Sequence, residues 1–147
     1  MSENGRKRRD FLRTAGLSAI ALGSGCSLFL KKRETDLKVP ADRKQVDLSF
    51  ATYPVLNTVG GEVILTQNET SILVYRRTED TFGAIDITCT HWGCHVRYSP
   101  KKDDIFCPCH GSRFSTGGAV TEGPAEENLR SYPVTTTANG VQISLRD

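Results

Sequence analysis

An all-β fold is expected for residues 45–147. Three observations predict it. Apolar and polar residues alternate over short runs, the period of a strand with one buried face. Thirteen glycines and six prolines break the 147-residue chain at short intervals. No stretch beyond residue 44 carries a helical apolar pattern, and no internal repeat is visible.

The elements follow in chain order. Val46, Leu48 and Phe50 alternate with polar residues as a first strand, which Pro54 ends. Gly60-Gly61 precedes the run Glu62 to Thr66 as a hairpin turn would. Ser71 to Arg76 and Phe82 to Ile87 are two further β-rich runs, separated by the polar turn Thr78-Glu79-Asp80. Val96 to Tyr98 and Asp104 to Phe106 flank a turn at Lys101-Lys102-Asp103. Loops follow at Gly117-Gly118 and Gly123-Pro124. Arg130 to Thr136 and Val141 to Leu145 close the chain, with Asn139-Gly140 as a hairpin signal.

Charge divides the chain. Residues 1–33 hold eight of the 19 basic and two of the 17 acidic residues, leaving 11 basic and 15 acidic in 34–147. The acidic body argues against nucleic-acid binding, which needs a basic face. The basic end reads as an export signal: a charged stretch from Arg6 to Arg13 precedes 17 charge-free residues, Thr14 to Leu30. Arg8-Arg9-x-Phe11-Leu12 resembles a twin-arginine signal, although Lys7 replaces the usual Ser or Thr. Three fates stay open for residues 1–30: a retained membrane anchor, lipid modification at Cys26, or cleavage. Seventeen residues are at the lower limit for a span. Leu22 to Cys26 resembles a lipobox with Leu22 one place early. All three place the body outside the cytoplasm. Residues 31–44 are densely charged and are expected to be an exposed linker.

Two short boxes carry the chemistry: Cys89-Thr90-His91-Trp92-Gly93-Cys94 and Cys107-Pro108-Cys109-His110-Gly111-Ser112. They hold four of the five cysteines and two of the three histidines. Soft thiolates suit iron–sulfur chemistry, and imidazole suits zinc or iron. Two readings follow. One is a structural zinc site of two Cys and two His, in a binding module without redox activity. The other is a two-iron centre with unlike ligands on its two metals. Zinc motifs rarely carry two additional cysteines in this arrangement.

Through both boxes, and from about Val46 to Leu145, the chain resembles the Rieske [2Fe–2S] family. That resemblance implies stacked antiparallel sheets with an inserted cluster-binding subdomain. It implies a [2Fe–2S] cluster whose inner iron is held by Cys89 and Cys107 and whose outer iron is held by His91 and His110. Neutral imidazoles on one iron raise the potential relative to four thiolates. It implies a Cys94–Cys109 disulfide, permissible in an exported domain, and thereby the high-potential branch. Ser112 is expected to donate to a bridging sulfur and stabilise the reduced state. Phe114 stands where many high-potential relatives have a Tyr that donates to a ligand sulfur, so a lower potential is expected, suiting menaquinol or another low-potential donor. Trp92 stands where many relatives have Leu; it either shapes the surface over the cluster or simply packs. Gly93 and Gly111 are expected to serve turns that aim N–H groups at sulfur. Gly123-Pro124-Ala125 resembles the loop that covers the cluster from a third side. His95 matches no ligand position and reads as a surface residue.

The function implied is one-electron transfer as the iron–sulfur subunit of a membrane quinol:cytochrome c oxidoreductase. Its partners would be cytochrome b and cytochrome c-type subunits, and quinol would meet His110. The alternative is the small Rieske subunit of an exported molybdenum oxidase resembling arsenite oxidase. A quinol's second electron needs another acceptor that this chain does not contain, so catalysis would belong to the assembled complex; no nucleophile–base pair or Gly-rich phosphate loop is visible.

Overall fold

The structure, a computed structural model, describes residues 36–145. The expectations placed on residues 1–30 (the twin-arginine signal, the anchor and a lipidated Cys26) lie outside them. Among the described residues, no helix is long and apolar enough to cross a membrane.

Three sheets stack around two cores. The middle sheet runs in the order β1 (Asp36–Val39), β3 (Glu62–Gln67), β4 (Thr70–Arg76), β5 (Phe82–Asp86), with β1 parallel to β3 and the rest antiparallel. The sheet on one side has the order β10 (Val134–Thr137), β11 (Gly140–Ser144), β2 (Gln45–Ser49), all antiparallel. The sheet on the other side is an antiparallel meander of β6 (Arg97–Ser99), β7 (Asp104–Phe106), β8 (Arg113–Phe114) and β9 (Val120–Glu122).

Strand β4 explains the stacking. Its apolar run Ile72-Leu73-Val74-Tyr75 is buried at every position, so both faces of the middle sheet are covered. Ile72 and Val74 join Val46, Leu48, Val63, Leu65, Val141 and Ile143 in one core. Leu73 and Tyr75 face the other way, to Ile85, Ile87, Val96, Tyr98, Ile105 and Phe114. Full burial of each such side chain stabilises by roughly 1.5–3 kcal/mol. Cys89 and Cys107 belong to this second core, so packing of the third sheet sets where the boxes stand.

A polar network running from the core to the surface fastens the third sheet. The Tyr75 hydroxyl donates to the Thr116 carbonyl at 2.8 Å, and its ring stacks on Tyr98 at 4.6 Å. The Tyr98 hydroxyl donates to Asp103 Oδ1 at 2.9 Å, and Arg77 donates to both oxygens of the same carboxylate. Burial pushes the Tyr98 hydroxyl up to about 12. The Arg77 hydrogen bond holds the Asp103 carboxyl below its usual range.

Several sequence expectations change. Part of the expected linker, 31–44, is strand: Asp36–Val39 pairs with β3 in register Asp36 to Ile64 through Val39 to Gln67. Leu37 and Val39 alternate inward between charged neighbours, and the charge density concealed that alternation. The Gln67 side chain then donates to the Pro40 and Arg43 carbonyls, both at 2.8 Å. The folded body therefore starts by Asp36 rather than at residue 45. Pro54 opens a 3-10 turn, Pro54–Asn57, and Gly60-Gly61 is not a β2–β3 hairpin, because β2 pairs with β11. Gly60 instead donates to the Arg76 carbonyl at 2.8 Å. The β10–β11 hairpin forms as expected, with Thr137 paired to Gly140. There the glycine answers close approach, since a Cβ would lie 2.2 Å from the Leu48 carbonyl oxygen.

Candidate metal centre

Both boxes fold into the same turn, and their glycines are the reason. The Cys89 N–H donates to the Cys94 carbonyl at 2.8 Å and the Gly93 N–H to the Cys89 carbonyl at 2.9 Å. The Cys107 N–H donates to the Ser112 carbonyl at 2.8 Å and the Gly111 N–H to the Cys107 carbonyl at 3.0 Å. Gly93 and Gly111 close these turns at φ +76° and +82°, the left-handed conformation that a Cβ opposes. The first turn sits between β5 and β6, on the Thr88–His95 backbone bridge. The second spans the β7–β8 hairpin above the Phe106–Arg113 pair. The half-buried Arg113 Nε meets Asp104 Oδ2 at 3.0 Å at its base.

The turns sort their donors. Cys89 and Cys107 are 2% and 1% exposed, carry free thiols and share the second core. Burial pushes the Cys89 thiol up, against hydrogen bonds its sulfur receives from the His91 and Trp92 backbone. A buried pair of thiolates requires a cation beside it. His91 is half-buried and His110 exposed. Their Nδ1 atoms converge to 3.3 Å, with the rings at 87° to one another. Two nitrogens on one metal, each bound at roughly 2.1 Å, lie about 3–3.5 Å apart. The imidazole pair therefore has the spacing of two ligands on one ion.

A single zinc would gather all four donors within about 4 Å of one another. Among the described residues, the three-donor group inside 4.8 Å is Cys94, Cys107 and Cys109, not the four expected ligands. Two of those three sulfurs are bonded to each other: Cys94 and Cys109 form a disulfide with Cα atoms 6.5 Å apart. It joins the two boxes.

The remaining expected residues line the same site. Ser112 is fully buried, and its Oγ accepts the Ala125 N–H at 3.0 Å, which leaves its own proton free to point elsewhere. Phe114 is fully buried beside Cys107 in the second core. Trp92 does not pack inward: it is 76% exposed and lies on the His91 ring at 5.0 Å and 9°. His95 is exposed. Sequence reasoning missed Thr90, whose hydroxyl donates to the Glu127 carbonyl at 2.6 Å. The loop 123–129 is thus tied once to each box, through Thr90 and Ser112. A hydroxyl residue between Cys and His was the only available signal, and its partner lies 37 residues away.

Known proteins match this architecture. Residues 34–133 match the Rieske [2Fe-2S] domain profile, across both boxes. The chain is 28% identical over 146 residues to the cytochrome b6-f complex iron-sulfur subunit of Chlorobaculum thiosulfatiphilum, covering 97% of this chain and 80% of that protein. The crystal structure of the plasma membrane Rieske protein PetC3 from Synechocystis superposes with a TM-score of 0.54 at 27% identity, covering 67% of this chain and 98% of that one. A ferredoxin of carbazole 1,9a-dioxygenase from Nocardioides aromaticivorans, at 19% identity and a TM-score of 0.59, shares the fold. With thiols buried, imidazoles at the surface and the profile running through both turns, the chain belongs to the Rieske [2Fe–2S] family and binds a [2Fe–2S] cluster.

Proposed function

We propose that Cys89 and Cys107 hold the inner iron, that His91 and His110 hold the outer one, and that the chain is the iron–sulfur subunit of a membrane quinol-oxidising complex. The supporting observation is the sidedness of the donors: both thiols are sealed in the core while the His110 ring reaches solvent. With its Nδ1 turned to His91, His110 has its Nε2 edge left to meet a quinol hydroxyl and take its proton. A [2Fe–2S] cluster held by these four residues would supply one-electron chemistry: it would accept one of a quinol's two electrons and pass it to a c-type haem. The second electron needs an acceptor this chain does not contain, the role of a cytochrome b subunit. Two features support a head on the outer face of the cytoplasmic membrane: the Arg8-Arg9 motif and a disulfide suited to an oxidising compartment. Affinity capture of the full chain from detergent-solubilised membranes tests the assignment. Recovery of b- and c-type haem with quinol oxidation sensitive to a quinol-site inhibitor is expected. Recovery of a molybdenum enzyme without those haems would overturn it.

Two substitutions probe the chain's part in tuning and sealing the centre. Phe114→Tyr should raise the midpoint potential, because a hydroxyl donating to sulfur stabilises the more negative, reduced state. A bond about 1–1.5 kcal/mol stronger in that state corresponds to roughly 40–65 mV for one electron. A redox titration followed by electron paramagnetic resonance measures it, and an unchanged or lower value would show that the hydroxyl does not reach. Thr90→Val should cost the holoprotein about 1 kcal/mol and speed bleaching by chelator, while Thr90→Ser keeps the wild-type rate. Equal bleaching rates for the two variants would remove Thr90 from the strap.

A further inference from the structure

A single exposed apolar side chain is ordinary on a protein surface. Trp92 differs in what it touches. It is the sole tryptophan in the chain. At 76% exposed it exceeds the other exposed large apolar residues, Val59 at 46% and Val55 at 37%. One face of its indole lies flat on the His91 ring, centroids 5.0 Å apart and planes at 9°. The His110 ring meets it edge-on, at 5.0 Å and 78°. With one face on His91, the 76% exposure of Trp92 leaves the opposite face to solvent, next to a histidine whose Nδ1 is turned to His91 and whose Nε2 edge is left over. A wide aromatic plane beside one polar ring edge complements a flat aromatic ligand that carries a hydroxyl at its rim.

The shape of the plane selects among such ligands. Indole is two fused rings, and aromatic pairs gain from offset stacking over matched area. A bicyclic ring covers both of them while its hydroxyl stays at the imidazole edge; a monocyclic ring leaves half the indole wet. We infer that Trp92 is a specificity-determining residue that favours fused-ring, naphthoquinol-class donors over benzoquinols, by stacking its open face on the donor ring while His110 meets the hydroxyl. This inference rests on the quinol-oxidising reading above. It concerns binding of the donor and adds no redox step. Nothing in it depends on Phe114, which points toward a low-potential donor through the cluster rather than through contact.

The test uses the complete membrane complex carrying wild-type chain, Trp92→Leu or Trp92→Phe. Oxidation of a short-chain 1,4-naphthohydroquinone and of a decyl-substituted benzohydroquinone is measured with each. The ratio of the two kcat/KM values should fall roughly three- to tenfold in Trp92→Leu, the equivalent of one aromatic pair. The fall should come through the KM for the naphthohydroquinone, with Trp92→Phe intermediate. An unchanged ratio with an active wild-type complex would overturn the role of Trp92 alone. A wild-type complex that oxidises neither compound would overturn the quinol-oxidising reading as well.

Discussion

Cys107→Ser should yield a colourless protein, with iron and acid-labile sulfide near zero and no signal from electron paramagnetic resonance after reduction. Cys107 stands at the base of the second turn, 1% exposed, in the same core as Cys89. A serine hydroxyl there is a harder donor that ionises far less readily, so under the proposed assignment the inner iron would lose one of two charged ligands. The fold itself should survive, because the turn is closed by backbone: Cys107 N–H to the Ser112 carbonyl and Gly111 N–H to the Cys107 carbonyl. Near-wild-type circular dichroism with lost colour would separate a ligand from a packing residue. His91→Ala and His110→Ala complete the test, since each removes one of two nitrogens 3.3 Å apart. Wild-type redox behaviour in either histidine variant would sink the ligand assignment. A colourless wild type from iron-replete cells, retaining zinc instead, would sink the cluster.

How much of this was legible beforehand depended on whether a feature is local. The boxes were legible because each turn fits within six residues and its glycine sits at a fixed offset from the cysteine. Strand β2 was legible because its burial alternates over five residues, and β4 because four consecutive apolar residues, Ile72 to Tyr75, are all buried. β8 and β9 are two and three residues long, too short for any period to show. β1 was hidden by Asp36 and Lys38, which face outward while Leu37 and Val39 turn inward. The Thr90 strap had only a hydroxyl between Cys and His as its signal, with its partner 37 residues away, and the Asp104–Arg113 pair depends on the register of the β7–β8 hairpin. Trp92 shows the limit differently. The sequence left two roles open for it, and its 76% exposure and its place on the His91 ring became visible only in the fold.

Removing the disulfide should be the other large effect. The double variant Cys94→Ala, Cys109→Ala loses a crosslink between residues 15 apart, and chain-entropy reasoning sets that loss at about 3 kcal/mol. With a guanidinium slope of roughly 3 kcal/mol per molar, loss of cluster absorbance should occur about 1 M earlier. A shift below about a third of that would mean the boxes are held by the sheets and the straps alone. The single variants should behave worse than the double one, for a chemical reason. The Cys94 and Cys109 sulfurs both lie within 4.8 Å of Cys107 Sγ. An unpaired thiol left there can ionise and would compete with Cys107 for the iron it is proposed to hold. Cys94→Ala alone should therefore give a heterogeneous reduced-state signal, whereas the double variant, less stable, should keep a single one. The bond thus has two separable effects on this centre: it shortens the unfolded chain, and it withholds two sulfurs from the metal.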